Sequence, residues 1–208
     1  MSQIKVTYID HCGSDLTTVN AARVSFGKKH DSFQDKDTKL IRYLAKHKHI
    51  SPFGHAFASF HVKAPIFVAR QLVKHSYLRW NEVSRRYVDD EPEFYLPDTW
   101  RGRSADKKQG SDGVVQTFVS DWDTYNHSLK IYTDLLKDGV APEQARMVLP
   151  QSMMTEWYWS GSLDAFASMC HLRCKPDTQY ESRLVADQIS EKMGELYPVS
   201  WEALMKNE

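Results

Sequence analysis

The sequence predicts an α+β fold, in which helices pack on a small, mostly antiparallel sheet and residues 1–208 form one domain. Residues 4–9 and 57–63 alternate apolar and polar side chains, which is typical of half-buried strands. Elsewhere apolar residues recur every three or four positions, which indicates amphipathic helices. Because strands do not alternate regularly with helices, a doubly wound parallel sheet is not indicated.

Local signals place the ends of several elements. Ser51-Pro52 has the pattern of an N-cap followed by proline at the first helical position. Gly139 is placed to end the longest helix, and Thr178 with Glu181 has the spacing of a capping box. Helices are predicted at residues 15–22, 38–46, 65–73, 114–137, 142–149, 162–173 and 178–193, and strands at 4–9, 57–63 and 88–97.

Residues 101–137 divide into a polar loop and a long helix. Residues 101–113 are rich in glycine and charge and have no large apolar side chain, so they are predicted to form a mobile loop inserted within the domain. The helix that follows carries one apolar stripe, which is more typical of a core or a subunit interface than of a ligand surface: Phe118, Trp122, Tyr125, Leu129, Tyr132 and Leu136.

Composition excludes several classes of protein. The formal net charge is zero, which argues against a nucleic-acid-coating protein but not against a local cationic pocket. The first residues contain no long apolar run, so no signal peptide is expected. No segment approaches the roughly 20 apolar residues that a spanning helix needs. We therefore expect a cytoplasmic protein with no membrane and no nucleic-acid partner.

Histidines and cysteines give no metal or nucleophile motif. Nine histidines are scattered without zinc-binding spacing, so no metal site is expected. The three cysteines are Cys12, Cys170 and Cys174, and none forms a C-x-x-C motif. Cys170 lies in the apolar run of a predicted helix, which favours a buried structural thiol over a nucleophile.

Residues 74–87, K-H-S-Y-L-R-W-N-E-V-S-R-R-Y, hold the densest group of polar and cationic side chains. They follow an apolar helix directly, which suggests an anion site or a solvated helix end. Arg146 and Arg173 add guanidinium groups at the ends of other elements. Arginine is well suited to phosphates and planar anionic rings because its fork donates two parallel hydrogen bonds. Arg146 is followed by Met147, Val148 and Leu149, where we expect a guanidinium to need a partner.

These residues resemble the flavin-dependent thymidylate synthases. That family carries an R-H-R-x7-S signature within a longer R-H-R-x-x-S-x-N-E-x-S-x-R-Y pattern. The resemblance runs in order through most of the chain, from A-A-R-V-S ending at Ser25, through S-P-F-G-H ending at His55 and the helix before residue 74, to A-R-M-V-L-P around Arg146 and L-R at Arg173.

The resemblance implies a fold, a reaction and a set of partners. Members of the family have an α+β fold and form homotetramers with active sites shared between subunits. They methylate dUMP to dTMP. Methylenetetrahydrofolate supplies the carbon, and FAD, reduced by NADPH, supplies the hydride. No cysteine nucleophile and no glycine-rich nucleotide cradle is used, which agrees with their absence from this sequence.

Residue by residue, the resemblance assigns a dUMP site and an FAD site. Arg173 would stabilise negative charge on the uracil ring, and Arg86 would hold the phosphate. Ser84 matches a serine once considered a nucleophile, and we assign it to positioning because no base lies beside it. The expected dUMP residues are Gln71, Lys74, Glu82, Ser84, Arg86, Arg146 and Arg173, and the expected FAD residues are Ser25, His55, Lys74, His75, Ser76, Arg79, Asn81, Glu82, Ser162 and Ser168.

The first half of the signature departs from the family. Lys74 and Ser76 stand where the family has arginines, and Arg79 stands where it has serine. Residues three apart are neighbours on a helix, so we hypothesise that Arg79 returns a guanidinium to the place lost at Ser76. Gly54 replaces a frequent glutamate, and Ser162, Ser168 and Asp177 replace asparagine, asparagine and histidine of some relatives.

Two alternatives remain open at this point. The same fold and nucleotide site could hydroxymethylate dUMP instead of methylating it. A non-catalytic nucleotide- or RNA-binding protein could use the basic stretch and the aromatic residues. Binding driven by phosphates would weaken steeply with salt, and a carboxylate such as Glu82 inside a phosphate groove is unfavourable.

Overall fold

The computed structural model describes residues 3–106, 110–119 and 121–206. The strands are β1 Lys5–Cys12, β2 Phe57–Pro65, β3 Leu78–Glu82, β4 Arg101–Arg103, β5 Ser111–Val114 and β6 Met154–Ser162. The helices are α1 Asp15–Arg23, α2 Asp35–Lys46, α3 Ile66–Leu72, α4 Asp121–Lys137, α5 Pro142–Ala145, α6 Leu163–Arg173, α7 Tyr180–Leu196 and α8 Pro198–Met205. Three short 3₁₀ turns are found at Val24–Phe26, Ser51–His55 and Arg146–Val148. These elements confirm the predicted α+β fold.

An antiparallel sheet of strand order β1-β2-β6-β3 forms the centre of the protein. The alternation in β2 buries Ala58, Phe60 and Val62, and leaves Ser59 and His61 on the opposite face, as predicted. Helices α6, α7 and α8 pack against one another over the apolar face of the sheet, and α2 packs on α8. One face of the sheet is therefore core, and the other carries polar side chains.

Strands β6 and β3 meet through aromatic side chains. Trp80 of β3 stacks on the buried Trp157 of β6, with ring centroids 4.3 Å apart. Trp159 packs edge-on against both indoles. A Cβ at Gly161 would overlap the Leu78 side chain, so glycine is needed where β3 begins beside β6. This packing fixes the position of the strand that carries Glu82.

Several predicted elements are wrong. Residues 88–97 form no strand apart from a single bridge between Phe94 and Met153. The long helix begins at Asp121, so Phe118 lies outside it and is fully exposed, whereas Tyr125 and Tyr132 are buried. Within 101–113, β4 and β5 pair as a hairpin, while residues 107–109 lie outside the described part of the chain. The described residues of this segment therefore form a hairpin and not an irregular loop.

Two caps also differ from prediction. The N-cap of α7 is Gln179, and the Thr178 hydroxyl donates to the Leu172 carbonyl oxygen at 2.8 Å, so no capping box forms. Ile50, not Ser51, precedes the 3₁₀ turn at residues 51–55. Helix α8 was not predicted. In contrast, Gly139 has a φ of 84° and ends α4 as predicted, and Ser162 is the N-cap of α6.

Within the described residues, no helix has both the length and the apolar character needed to cross a membrane.

Candidate active site

Residues 74–87 form a turn, a strand and a second turn. Helix α3 ends at Leu72, and Tyr77 adopts a left-handed φ of 65°, which is unusual for a bulky residue. The chain then enters β3, in which Leu78 and Trp80 face the core side and Arg79 and Asn81 face the other side. Arg79 therefore lies on a strand, and the helical neighbour relation proposed between Ser76 and Arg79 is wrong.

Arg173 and His75 are in direct contact. Arg173 ends α6, and its Nε donates to Nε2 of His75 at 2.9 Å. Burial, together with the charge of Arg173, lowers the pKa of His75 from 6.5 to about 4. Burial also lowers the pKa of Arg173. His75 is therefore a neutral acceptor, with its ring proton on Nδ1.

Glu82, at the end of β3, is held at both carboxylate oxygens. The Thr155 hydroxyl donates to Oε1 at 2.8 Å, and the Trp80 indole N–H donates to Oε2 at 3.1 Å. Trp80 lies two residues before Glu82 on the same strand, so their shared face of β3 was a local signal for this contact. Thr155 lies on β6, and its contact with Glu82 depends on strand register, which no local pattern contains.

A cavity of about 410 Å³ opens beside Glu82. The side chain of Arg85 is only 13% exposed there, although the carboxylate that pairs with it at 3.2 Å, that of Asp90, is 71% exposed. The polar residues lining the cavity are Arg70, Glu82, Arg85, Glu143, Arg146, Gln151 and Thr155. Three guanidinium groups and a fixed carboxylate therefore surround one space, and Arg70 and Arg85 were not among the predicted site residues.

Arg146 lines this cavity in a different setting from the one expected. It lies at the start of a 3₁₀ turn, its Nε donates to the Glu143 carbonyl oxygen at 3.2 Å, and its side chain is exposed. Met147 beside it is 80% exposed. The argument that Arg146 sits in an apolar environment is therefore wrong, and it is a solvent-accessible cation.

Ser84 and Arg86 form a separate pair. The Arg86 Nε donates to the Ser84 hydroxyl oxygen at 3.2 Å, and its guanidinium lies 4.9 Å from the centre of the Tyr87 ring. In the part of the chain that the structure describes, neither residue bonds to His75 or Arg173. The predicted nucleotide residues of one chain therefore form separate hydrogen-bonded groups.

Gln71 is anchored to the start of α7. Its Nε2 donates to Oε1 of Gln179, and its Oε1 accepts from the Ser182 hydroxyl at 3.1 Å. Ser182 is completely buried, so water cannot replace its hydroxyl group. The Gln71 amide is thereby hydrogen-bonded to two side chains that sequence reasoning did not assign to the site.

The predicted flavin residues are distributed over several elements. Lys74 and Ser76 are exposed in the turn after α3, and Asn81 faces the open side of the sheet opposite Tyr158. Ser162 is buried at the start of α6, and Ser168 is exposed on that helix. Ser25 lies in a 3₁₀ turn beside a second cavity, of about 500 Å³, which is lined by Thr17, Asn20, Ala21, Val24, Lys28, Lys29 and His55.

Cys170 is not placed to act as a nucleophile. Cys170 is completely buried, and burial raises the pKa of its thiol. Its sulfur lies 3.7 Å from the Ala186 carbonyl oxygen. A neutral, buried thiol is a structural group rather than a nucleophile, as predicted. Among the described residues, no three histidine, cysteine or carboxylate side chains are grouped as metal ligands.

Comparison with known proteins identifies the family. Residues 7–199 match the family described as "Thymidylate synthase complementing protein". A flavin-dependent thymidylate synthase of Thermus thermophilus is 39% identical over 201 residues, which cover 95% of this chain and 74% of that protein. The UMP/dUMP methylase PolB of Streptomyces cacaoi is similar in structure, and its complex with 5-Br dUMP superimposes with a TM-score of 0.88 at 34% identity, covering 99% of this chain and 96% of PolB. Its complex with 5-Br UMP also has a TM-score of 0.88, at 32% identity and with coverage of 99% and 95%.

The family model covers almost the whole chain and the relatives are enzymes by name, so the chain is an enzyme. The chain belongs to the flavin-dependent thymidylate synthase family of enzymes.

Proposed function

We propose that this chain methylates dUMP to dTMP, with methylenetetrahydrofolate as carbon donor, FAD as hydride carrier and NADPH as reductant. Family membership supports the reaction. The observation that carries the proposal is Arg173, a half-buried cation whose Nε is bonded to neutral His75 and with which no carboxylate of the described residues pairs. A preorganised guanidinium of this kind can stabilise negative charge that develops on a substrate ring.

The remaining nucleotide residues have distinct roles in this proposal. Arg86, hydrogen-bonded to Ser84, holds the phosphate, and Arg146 adds a solvent-accessible cation. Glu82 accepts two hydrogen bonds from the protein, so its carboxylate is fixed before the nucleotide binds. Gln71 and Lys74 complete the dUMP site.

The residues present fit FAD. Oδ1 of Asp164 is buried without a hydrogen-bond partner and lies about 3.8 Å from where a Gly54 side chain would begin. FAD carries N–H donors that could satisfy such an acceptor. Lys28 and Lys29 line the cavity beside His55 and offer cations to a diphosphate. The other residues that would hold the cofactor are Ser25, Lys74, His75, Ser76, Arg79, Asn81, Glu82, Ser162 and Ser168. When bound, the flavin supplies the hydride.

We propose that the active site is shared between subunits of a homotetramer. In one chain, the Ser84–Arg86 pair and the His75–Arg173 pair share no hydrogen bond among the described residues, which supports this arrangement. Tyr77 and Tyr87 lie at the two turns and are 87% and 77% exposed. Large exposed aromatic side chains of this kind are typical of subunit interfaces when one chain is viewed alone. Co-expression of R86A and R173A chains tests it: mixed tetramers should recover activity that neither variant has alone. Failure to recover activity in verified mixed tetramers would argue for independent sites.

The reaction itself is tested by the absorbance of the flavin and by the mass of the nucleotide product. Protein reconstituted with FAD should lose its flavin absorbance when NADPH is added anaerobically, and dUMP should accelerate that loss. The product mass distinguishes dTMP from the hydroxymethylated nucleotide of the alternative reaction. A protein that cannot be reconstituted with FAD would refute the proposal.

A second candidate substrate is UMP. The Streptomyces cacaoi methylase is described as acting on both UMP and dUMP, and its complex with 5-Br UMP has the same fold as this chain. Competition between equal concentrations of the two nucleotides, with products separated by mass, gives the ratio of kcat/KM values directly. Exclusive formation of dTMP would remove UMP as a substrate.

A further inference from the structure

Lys28 and Lys29, which line the second cavity, lie on a turn that begins at the end of α1. The Gly27 N–H donates to the Val24 carbonyl oxygen at 3.0 Å, and the Lys28 N–H donates to the Arg23 carbonyl oxygen at 3.3 Å. Gly27 has a φ of 59°, in the left-handed region that glycine adopts readily. The start of the turn is therefore fixed by backbone hydrogen bonds.

The end of the turn is held by Asn20 of α1. The His30 N–H donates to Oδ1 of Asn20 at 2.8 Å, and Nδ2 of Asn20 donates to the His30 carbonyl oxygen at 2.9 Å. A backbone N–H can only donate and a backbone carbonyl can only accept, so the Asn20 amide satisfies both in one orientation alone. The two lysines thus lie between two fixed points on the same helix.

A single buried carboxylate joins these two points. Asp37 of α2 is completely buried and accepts from Nη2 of Arg23 at 2.8 Å, from Nδ1 of His30 at 2.9 Å and from the Gln34 N–H at 3.0 Å. Burial alone would raise the pKa of Asp37, but the hydrogen bonds from His30, Arg23 and Gln34 lower it, so the carboxyl group is ionised. Both ends of the turn therefore depend on one negative charge.

The two lysines are available to an anion. Both are exposed, and no carboxylate within residues 3–106, 110–119 and 121–206 forms an ion pair with either. Lysine binds phosphate as a point charge on a flexible side chain, so the position of the backbone decides whether two neighbouring lysines reach one diphosphate. Asp37 does not line the cavity. It can influence an anion there only through the turn.

We infer that Asp37 is a positioning residue that holds Arg23 and His30 together and so places Lys28 and Lys29 against the diphosphate of FAD. This inference rests on the proposed function, because it takes the second cavity to bind FAD. Asp37 itself would not touch the cofactor.

The experiment measures the affinities of the full-length protein for FAD and riboflavin by quenching of flavin fluorescence. Asp37→Asn keeps the size of the side chain but removes the charge that accepts from three donors. FAD should bind about tenfold more weakly, and riboflavin, which has no diphosphate, should bind as before. In a Lys28→Ala/Lys29→Ala background, Asp37→Asn should cause no further loss of FAD affinity, because it acts through the lysines. Additive losses would contradict the inference.

A second variant and a matched control accompany Asp37→Asn. His30→Ala leaves the pair between Arg23 and Asp37 in place and should lower the ratio of FAD to riboflavin affinity in the same direction. Asp15→Asn is the control. Asp15 is also a buried carboxylate, at the start of α1, but it accepts from the N–H groups of Val199 and Ser200 at 3.0 and 2.8 Å. Its loss should lower Tm without changing the ratio.

The outcomes separate this inference from the proposed function. If Asp37→Asn and His30→Ala remain folded by thermal denaturation and keep the wild-type ratio, the inference is wrong although FAD binding stands. If Asp37→Asn does not fold, the ratio of His30→Ala decides. An equal fall of the ratio in Asp15→Asn would assign the effect to a general loss of stability and would also refute the positioning role. If wild-type protein binds no FAD, both the inference and the proposed function are wrong.

Discussion

The Nε of Arg173 donates to Nε2 of His75 across 2.9 Å, joining the end of α6 to the turn that follows α3. A neutral histidine orients the guanidinium without cancelling its charge. A carboxylate in the same place would neutralise the cation before a substrate arrived. The pair therefore combines fixed geometry with an available positive charge, which is the requirement for electrostatic stabilisation of a transition state.

The stability of the protein should depend on pH through His75. Its pKa is lowered from 6.5 to about 4 in the folded chain, so the unfolded chain binds more protons between these values. The contribution of His75 is present above pH 6.5 and is lost as the pH falls towards 4. In thermal unfolding, His75→Gln should show a smaller loss of Tm across that window than wild type. Identical slopes in the two proteins would contradict the assignment.

Replacing Arg173 by lysine should affect turnover more than binding. Lysine keeps the charge but loses the planar fork and the Nε donor to His75. We expect kcat to fall about a hundredfold, as when a preorganised donor to a developing charge is removed. The Kd for dUMP, measured by calorimetry, should change much less. A parallel loss in Kd would assign Arg173 to ground-state binding instead.

Arg85 should contribute to phosphate binding through the cavity that it shares with Glu82 and Arg146. Arg85→Ala should weaken dUMP binding roughly tenfold because a charge-assisted hydrogen bond is lost. Binding of deoxyuridine, which has no phosphate, should be unchanged. Arg42→Ala is a suitable control, because Arg42 is an exposed arginine that pairs with Glu202 at 3.4 Å, away from this cavity's lining. Equal weakening of both ligands would exclude a phosphate contact.

Parts of the fold could be predicted because their signals are local. The alternation of Ala58, Phe60 and Val62 identified β2, and Gly139 identified the end of α4. Strand β6 was not predicted, because Trp157, Tyr158 and Trp159 obscure the alternation. Its register with both neighbours depends on long-range pairing, which no local pattern contains.

The candidate site, like the fold, could be predicted only where the signal was local. The residue types of 74–87 indicated an anion site, but charge density obscured β3, whose Leu78 and Trp80 alternate with Arg79 and Asn81. That alternation was the available signal for a strand. Gln179 and Ser182 could not be linked to Gln71 from sequence, because they lie more than 100 positions away and meet it only through packing.

The second cavity should bind the phosphate-containing half of FAD. A Lys28→Ala/Lys29→Ala double variant should weaken FAD binding about tenfold, since two cations next to His55 are removed. Riboflavin, which has no diphosphate, should bind as before. Quenching of flavin fluorescence measures both affinities without requiring turnover. If riboflavin and FAD weakened together, the lysines would be acting through the fold of the 3₁₀ turn at residues 24–26.

Replacing Gly161 should lower the stability of the protein and displace β3. A Cβ there would overlap the Leu78 side chain and lie 3.2 Å from the Tyr77 carbonyl oxygen. Gly161→Ala should cost about 1–3 kcal/mol through overpacking, measured by urea denaturation. It should also weaken dUMP binding, because β3 carries Glu82.

A double-mutant cycle separates this clash from a general effect of alanine. Adding Leu78→Ala removes the overlapping side chain, so the double variant should lose less stability than the sum of the single changes. Gly194→Ala in α7 is the matched control, because its Cβ would lie 3.5 Å from Trp201, an ordinary contact, and alanine favours a helix. It should be neutral or stabilising. Strict additivity of Gly161→Ala and Leu78→Ala would show that the two side chains do not meet, and that another contact sets the start of β3.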